Sequence, residues 1–146
     1  MKLSTRSRYG VRMLLDMARH YQEGPIQLGE IAKRQEVSIK YLEQIIIPLK
    51  KARYIESVRG PKGGHILAKS PEQITVAEIV AVLETGVSLV ECVDDPGVCG
   101  RASICPTRLL WKDASEAMLA KFKAVTLADL LEQARTLEER DSNPDP

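Results

Sequence analysis

Cys92, Cys99 and Cys105 lie within 14 residues, in the order Cys-x6-Cys-x5-Cys-Pro, with Gly97 and Gly100 close to the middle thiol. No apolar leader opens the chain and no apolar run approaches a membrane span, so the expected compartment is the reducing cytoplasm. There an odd set of thiols argues against a disulfide framework. Paired Cys-x-x-Cys knuckles, the common zinc signal, are absent. Thiolates on a glycine-bearing loop suit an iron–sulfur cluster, because sulfur is a soft ligand and small neighbours let backbone amides approach the inorganic sulfides. Spacing alone leaves a cluster, a zinc ion and reactive thiols open.

A second group of side chains has the chemistry to meet a polyanion. In VSIKYLEQIIIPLKKARYIESVRGPKGG, residues 37–64, Ser38 is a candidate N-cap. Ile39, Leu42, Ile45, Ile46 and Leu49 then recur at helical spacing as one buried face. The other face presents Lys40, Tyr41, Glu43, Gln44, Lys50 and Lys51, which can reach phosphates or base edges. A strand over 54–58, a tight basic loop carrying Arg59 and Lys62, and a returning strand over 65–68 complete the pattern. Helix, strand, glycine loop, strand is the layout of a winged helix-turn-helix. The fold class expected is therefore mostly α, with the helix entering a major groove and the two-stranded wing lying along the backbone or minor groove.

The elements that must position these groups follow from periodicity. A helix is expected from Leu3 to Tyr21, entered through Ser4 or Thr5, with Tyr9, Met13, Leu14, Met17, Ala18 and Tyr21 inward. Lys2, Arg6, Arg8 and Arg12 crowd its positive end, which calls for a nearby anion such as a DNA phosphate. A shorter helix over 28–35 precedes a turn at Glu36 and Val37, where a positive φ would sit awkwardly on Glu36. Pro48 should bend the end of the recognition helix, since it cannot donate to the Gln44 carbonyl. Thr75 and Glu78 form a capping box for a helix to about Glu84, and Thr126 and Asp129 form another for a helix to about Glu139. Between them, 108–125 has a heptad-like stripe of Trp111, Ala114, Met118 and Phe122, a candidate dimer interface.

These elements divide into a DNA-binding unit over 1–84, the cysteine loop over 85–107, dimerisation and C-terminal helices over 108–140, and a tail over 141–146 expected to be disordered. The net charge of +1 conceals an asymmetry: residues 1–73 hold 14 Lys or Arg against 7 Asp or Glu, and residues 74–146 hold 7 against 13. A basic half that meets a polyanion and an acidic half with another task fit that division. No nucleophile–base pairing and no HExxH stands out, and RGPKGG lacks the GxxxxGK[ST] phosphate-loop spacing, so no enzyme is expected. A small iron–sulfur electron carrier is a more distant alternative.

The strings LSTRSRYGVRMLLDMA, IAKRQEVSIKYLEQ, SVRGPKGG, TVAEIVAVLE and CPTRLLW together resemble the iron–sulfur cluster regulators typified by IscR, a family that includes NsrR and CymR. The resemblance covers nearly the whole chain. It implies a winged helix-turn-helix homodimer that binds double-stranded operator DNA, with Arg8, Ser38, Lys40, Tyr41, Glu43, Gln44, Arg59 and Lys62 on the DNA side. It also implies a cluster on Cys92, Cys99 and Cys105, and the cellular iron–sulfur assembly machinery is a candidate partner. Arg108 stands where the family's Cys-x-x-His pattern places a ligand histidine, and a guanidinium cannot coordinate iron. The aspartate that NsrR-like members carry near the N-terminus is replaced by Arg8. The fourth ligand is thus open among Glu91, Asp94, Asp95, Thr107 and the more distant His65, with His20 expected to serve as a helix-dipole partner instead. With three protein ligands, a 4Fe–4S cluster is favoured over 2Fe–2S.

Overall fold

Ser4 caps the first helix, its hydroxyl accepting from the Ser7 amide at 3.1 Å. The computed structural model describes residues 2–143. Helix α1 spans Thr5–Arg19, α2 Leu28–Gln35 and α3 Ile39–Lys51. Strands β1, Ile55–Val58, and β2, Gly64–Leu67, pair antiparallel in the register Ile55↔Leu67 to Val58↔Gly64. Helices α4, Val76–Leu83, α5, Glu91–Asp94, α6, Pro106–Ala124, and α7, Leu127–Ser142, follow, with 3-10 turns at Pro71–Gln73 and Pro96–Val98. Helix–turn–helix followed by a two-stranded wing is the expected architecture.

The core gathers the inward positions of α1, α3 and α4. Met13, Leu14 and Met17 meet Ile31 of α2, Leu42, Ile45, Ile46 and Leu49 of α3, and Ile79 and Leu83 of α4. Full burial of each Leu, Ile or Met contributes about 1.5–3 kcal/mol. Ile39, expected on this buried face, is instead 47% exposed. It lies in the first turn of α3, with its tip beside Gly29 of α2. Tyr21, also expected within α1, lies past its end and is half-buried.

Chain turns at the ends of α2 and α3 share one device. Glu36, at φ 53°, and Arg53, at φ 64°, take left-handed conformations. At α2 the Val37 amide bonds the Ala32 carbonyl at 3.0 Å, and at α3 the Tyr54 amide bonds the Leu49 carbonyl at 3.0 Å. Each pattern satisfies otherwise orphaned helix-end carbonyls, which offsets the cost of a left-handed non-glycine residue. Pro48 is carried within α3, and its carbonyl accepts from the Ala52 amide at 2.9 Å.

The C-terminal helices are laced to this unit by backbone. The Val76 amide bonds the Val125 carbonyl and the Leu127 amide bonds the Ile74 carbonyl, both at 2.9 Å. Leu127, fully buried, seats α7 in the core. Helix α7 continues to Ser142, past the expected end near Glu139, because the Ser142 hydroxyl donates to the Glu138 carbonyl at 2.8 Å and Asn143 bonds back to Arg140. Of the tail expected to be disordered, Asp141 and Ser142 are therefore helical, and residues 144–146 lie outside the described residues. No helix among the described residues is long and apolar enough to cross a membrane.

Candidate DNA-binding surface and cysteine loop

Helix α3 separates its side chains cleanly. Opposite the buried Leu42, Ile45, Ile46 and Leu49 stand Lys40, Glu43 and Gln44, all exposed. Ser38 starts the helix, its hydroxyl accepting from the Tyr41 amide at 3.0 Å. Tyr41 is only half available: its ring packs edge-on against Tyr9 of α1, with centroids 5.9 Å apart and planes at 86°. Arg59 and Lys62 are exposed in the hairpin loop, which closes through the Gly63 amide to the Gly60 carbonyl at 2.9 Å.

The wing is fastened to the rest of the domain at its base. The His65 amide and carbonyl exchange bonds of 2.8 and 2.9 Å with Ile26, adding a third short rung beside the hairpin. Gly64 makes this possible, since a Cβ there would lie 2.5 Å from the Ile26 carbonyl oxygen. His65 itself is held in the neutral direction, chiefly by burial and secondly by the charge of Lys50. It lies 3.3 Å from the Ser57 hydroxyl on the neighbouring strand, so its environment is that of a wing residue.

Residues not singled out in the sequence set the pose of the helix-turn-helix. Asp16 of α1, 6% exposed, receives Arg34 of α2 through two nitrogens, at 2.7 and 3.0 Å, and the Gln35 amide at 2.9 Å. Burial pushes the Asp16 carboxyl up, but the bonds from Arg34 and Gln35 outweigh it and hold the group below its ordinary range. Arg12 continues the bracket by donating to the Gln35 carbonyl at 2.6 Å while its guanidinium lies 5.2 Å from the Tyr9 ring centre. Arg12 is thus engaged within the chain. The anion sought at the start of α1 is also internal: the Glu84 carboxylate accepts from the Ser4 amide at 2.9 Å and the Ser4 hydroxyl at 2.6 Å. Arg8 remains exposed, with one bond to Thr5 at 3.3 Å.

The cysteine loop is pinned to α6 at two points. Ser115, 2% exposed, accepts from the Leu89 amide at 3.0 Å and donates to the Trp111 carbonyl at 2.7 Å. Arg108 donates from Nε to the Cys92 carbonyl at 2.7 Å. A guanidinium thus occupies the expected histidine position as a brace on the loop. Cys105 is the N-cap of α6, its sulfur 3.1 Å from the Thr107 hydroxyl. That hydroxyl first, then the Arg108 backbone amide, lowers the Cys105 thiol from its ordinary range.

Cys92 and Cys105 are half-exposed and Cys99 is exposed. Among the described residues no group of three or more His, Cys, Asp or Glu side chains is placed to hold a metal ion. The donor chemistry, three thiols of which the Cys105 thiol is lowered from its ordinary range, is of the kind that holds a cluster. Of the candidate fourth ligands, Thr107 lies nearest a thiol, Asp94 accepts from Ser88 at 2.5 Å, Asp95 caps Gly97 at 2.8 Å, and Glu91 is exposed. His20 caps α1 and meets Glu23 at 2.7 Å.

On α6 the apolar residues do not form one exposed stripe. Trp111 is 39% exposed, Ala114 and Met118 are half-buried, and Phe122 lines a cleft within its own chain with Leu3, Val11, Val80 and Leu130. Leu109 and Leu110, at 59% and 56%, are the more exposed apolar pair.

A family model described as Rrf2, iron-dependent transcriptional regulator, matches residues 3–133. The chain belongs to the Rrf2 family. Protein rrf2 of Nitratidesulfovibrio vulgaris is 45% identical over 146 residues, covering 100% of this chain and 97% of that protein. The HTH-type transcriptional regulator IscR of Photorhabdus laumondii is 36% identical over 138 residues, 94% of this chain and 84% of that one. Among solved structures, T. potens IscR is 37% identical with a TM-score of 0.77, covering 92% of this chain and 88% of that one. CymR, the global cysteine regulator of B. subtilis, is 35% identical with a TM-score of 0.78, covering 91% and 98%. This Rrf2 chain is accordingly a transcription regulator with a DNA-binding winged helix-turn-helix, and not an enzyme.

Proposed function

We propose that this Rrf2 protein binds an operator as a homodimer and that its affinity or choice of site depends on an iron–sulfur cluster. The observation that carries the proposal is the joining of two features in one fold. Lys40, Glu43 and Gln44 are exposed beside a basic wing, and a three-cysteine loop is braced by Arg108 onto α6. Lys40, Glu43 and Gln44 read base edges, Ser38 and Tyr41 shape the entry of the helix, and Arg8, Arg59 and Lys62 meet the DNA backbone or minor groove. Cys92, Cys99 and Cys105 hold the cluster, which when bound supplies a centre sensitive to iron supply, oxygen, nitric oxide or redox state. Closing the loop over the α6 N-terminus would alter the seating of α6. The exposed edge of α6 at Leu109, Leu110 and Trp111 joins the two subunits, and so sets the spacing of two recognition helices that must match half-sites in phase with the duplex.

A second reading, regulation through the thiols without a cluster, is favoured by the similarity to CymR structures, including the oxidized form of Staphylococcus aureus CymR at 34% identity and TM-score 0.74. Anaerobic purification with iron, sulfide and zinc assays separates the two. Iron and sulfide with a visible chromophore lost in Cys92→Ala, Cys99→Ala and Cys105→Ala support the cluster. Stoichiometric zinc, or thiols without metal, supports the alternative.

A further inference from the structure

The exposed side of α3 carries one side chain with no polar chemistry. Lys40, Glu43, Gln44, Ile47 and Lys51 follow one another at helical spacing on the face opposite the core, and Ile47 is 65% exposed. Ile39, the other exposed isoleucine of α3, approaches Gly29 of α2, whereas Ile47 is the more exposed of the two, at 65% against 47%. A scattered exposed isoleucine is ordinary on a protein surface. This one stands within a row of charged and amide side chains, one turn beyond Glu43 and Gln44 and roughly 4.5–6 Å further along the helix. Its β-branched side chain is stiff and presents a fixed apolar knob. The edges of base pairs in the major groove offer a single apolar group, the C5-methyl of thymine.

We propose that Ile47 reads a thymine methyl in each operator half-site, next to the base pairs met by Glu43 and Gln44. This rests on α3 being the recognition helix. The stripe would then combine polar readout in its first two turns with an apolar contact in the third, so the operator should require thymine at that position where cytosine or deoxyuridine is rejected.

The test begins with duplexes selected by the full-length protein from a random pool. Each thymine of the selected half-site is replaced in turn by deoxyuridine, which removes the methyl and preserves base pairing. Fluorescence anisotropy then gives Kd for the wild-type protein, Ile47→Ala and Ile47→Ser, with Gln44→Ala alongside and circular dichroism as a check on folding. One replacement should weaken wild-type binding about fourfold for each methyl lost from contact. The same replacement should leave both Ile47 variants unaffected, and those variants should already bind the intact operator more weakly. Additive losses, or a wild type indifferent to every replacement, would overturn the proposal. If no operator is selected, or Gln44→Ala changes neither affinity nor preference, it is the recognition-helix assignment that fails instead.

Discussion

Asp16 shows how a single buried carboxylate can govern a surface it does not touch. It fastens α2 to α1 through Arg34 and Gln35, and α2 is one of the helices, with α1 and α4, against which α3 packs. Because Arg34 is 40% exposed, solvent screens part of the pairing energy, and Asp16→Asn should cost about 1–3 kcal/mol at pH 7. The folded Asp16 carboxyl lies below its ordinary value of 3.8. Its contribution is therefore present above that value and is lost as pH falls through the folded value. Denaturant titrations of wild type and Asp16→Asn should differ most at pH 5–7 and converge only as pH falls below the ordinary carboxylate range. A constant difference across that range would assign the effect to shape instead of charge. At the same scale, Glu43→Ala should change base preference with little change in salt dependence, and Arg59→Ala should reduce the slope of log Kd against log salt by about one unit. None of the Asp16 bracket was legible in the sequence. Its partners are 18 and 19 residues away, and no periodic pattern marks a carboxylate that is buried because it is paired.

Elements were readable where their signals are local. The apolar spacing of α1 and α3, the Ser and Thr caps and the glycine loop each determine structure within a few residues, so the winged helix-turn-helix followed from them. Ile39 departed because position at the end of a helix, not phase around it, decides what covers a side chain. Phe122, at the far end of the expected α6 stripe, is half-buried beside residues of α1, α4 and α7 that no spacing within α6 could announce. The loop over 85–107 has no periodicity, and its two pins, at Ser115 and Arg108, come from a helix that follows it. The wing gives the prediction at this scale. Gly64→Ala would drive a Cβ into the Ile26 carbonyl and break the two hydrogen bonds that fasten the hairpin. Operator affinity should fall at least tenfold while circular dichroism stays helical; unchanged affinity would remove the wing from the DNA interface.

For the whole molecule, the proposed function joins a DNA-binding half to a sensing half through α6. Leu110→Asp and Trp111→Asp place charge on the exposed edge of α6 without touching the intrachain cleft at Phe122, so both should yield folded monomers in sedimentation equilibrium. Dimers that persist in both would exclude this edge as the interface. The division between basic and acidic halves, visible in the charge count, is what the proposed arrangement calls for, with DNA met by residues 1–73. The most direct measurement is the operator Kd of anaerobically prepared protein, before and after chelation of its metal, with iron and sulfide quantified in the same samples. Iron and sulfide should be bound through Cys92, Cys99 and Cys105, and their removal should change Kd tenfold or more or switch the preferred site, an effect absent in the three Cys→Ala variants. Iron-free protein with the same Kd before and after chelation would contradict the proposed function.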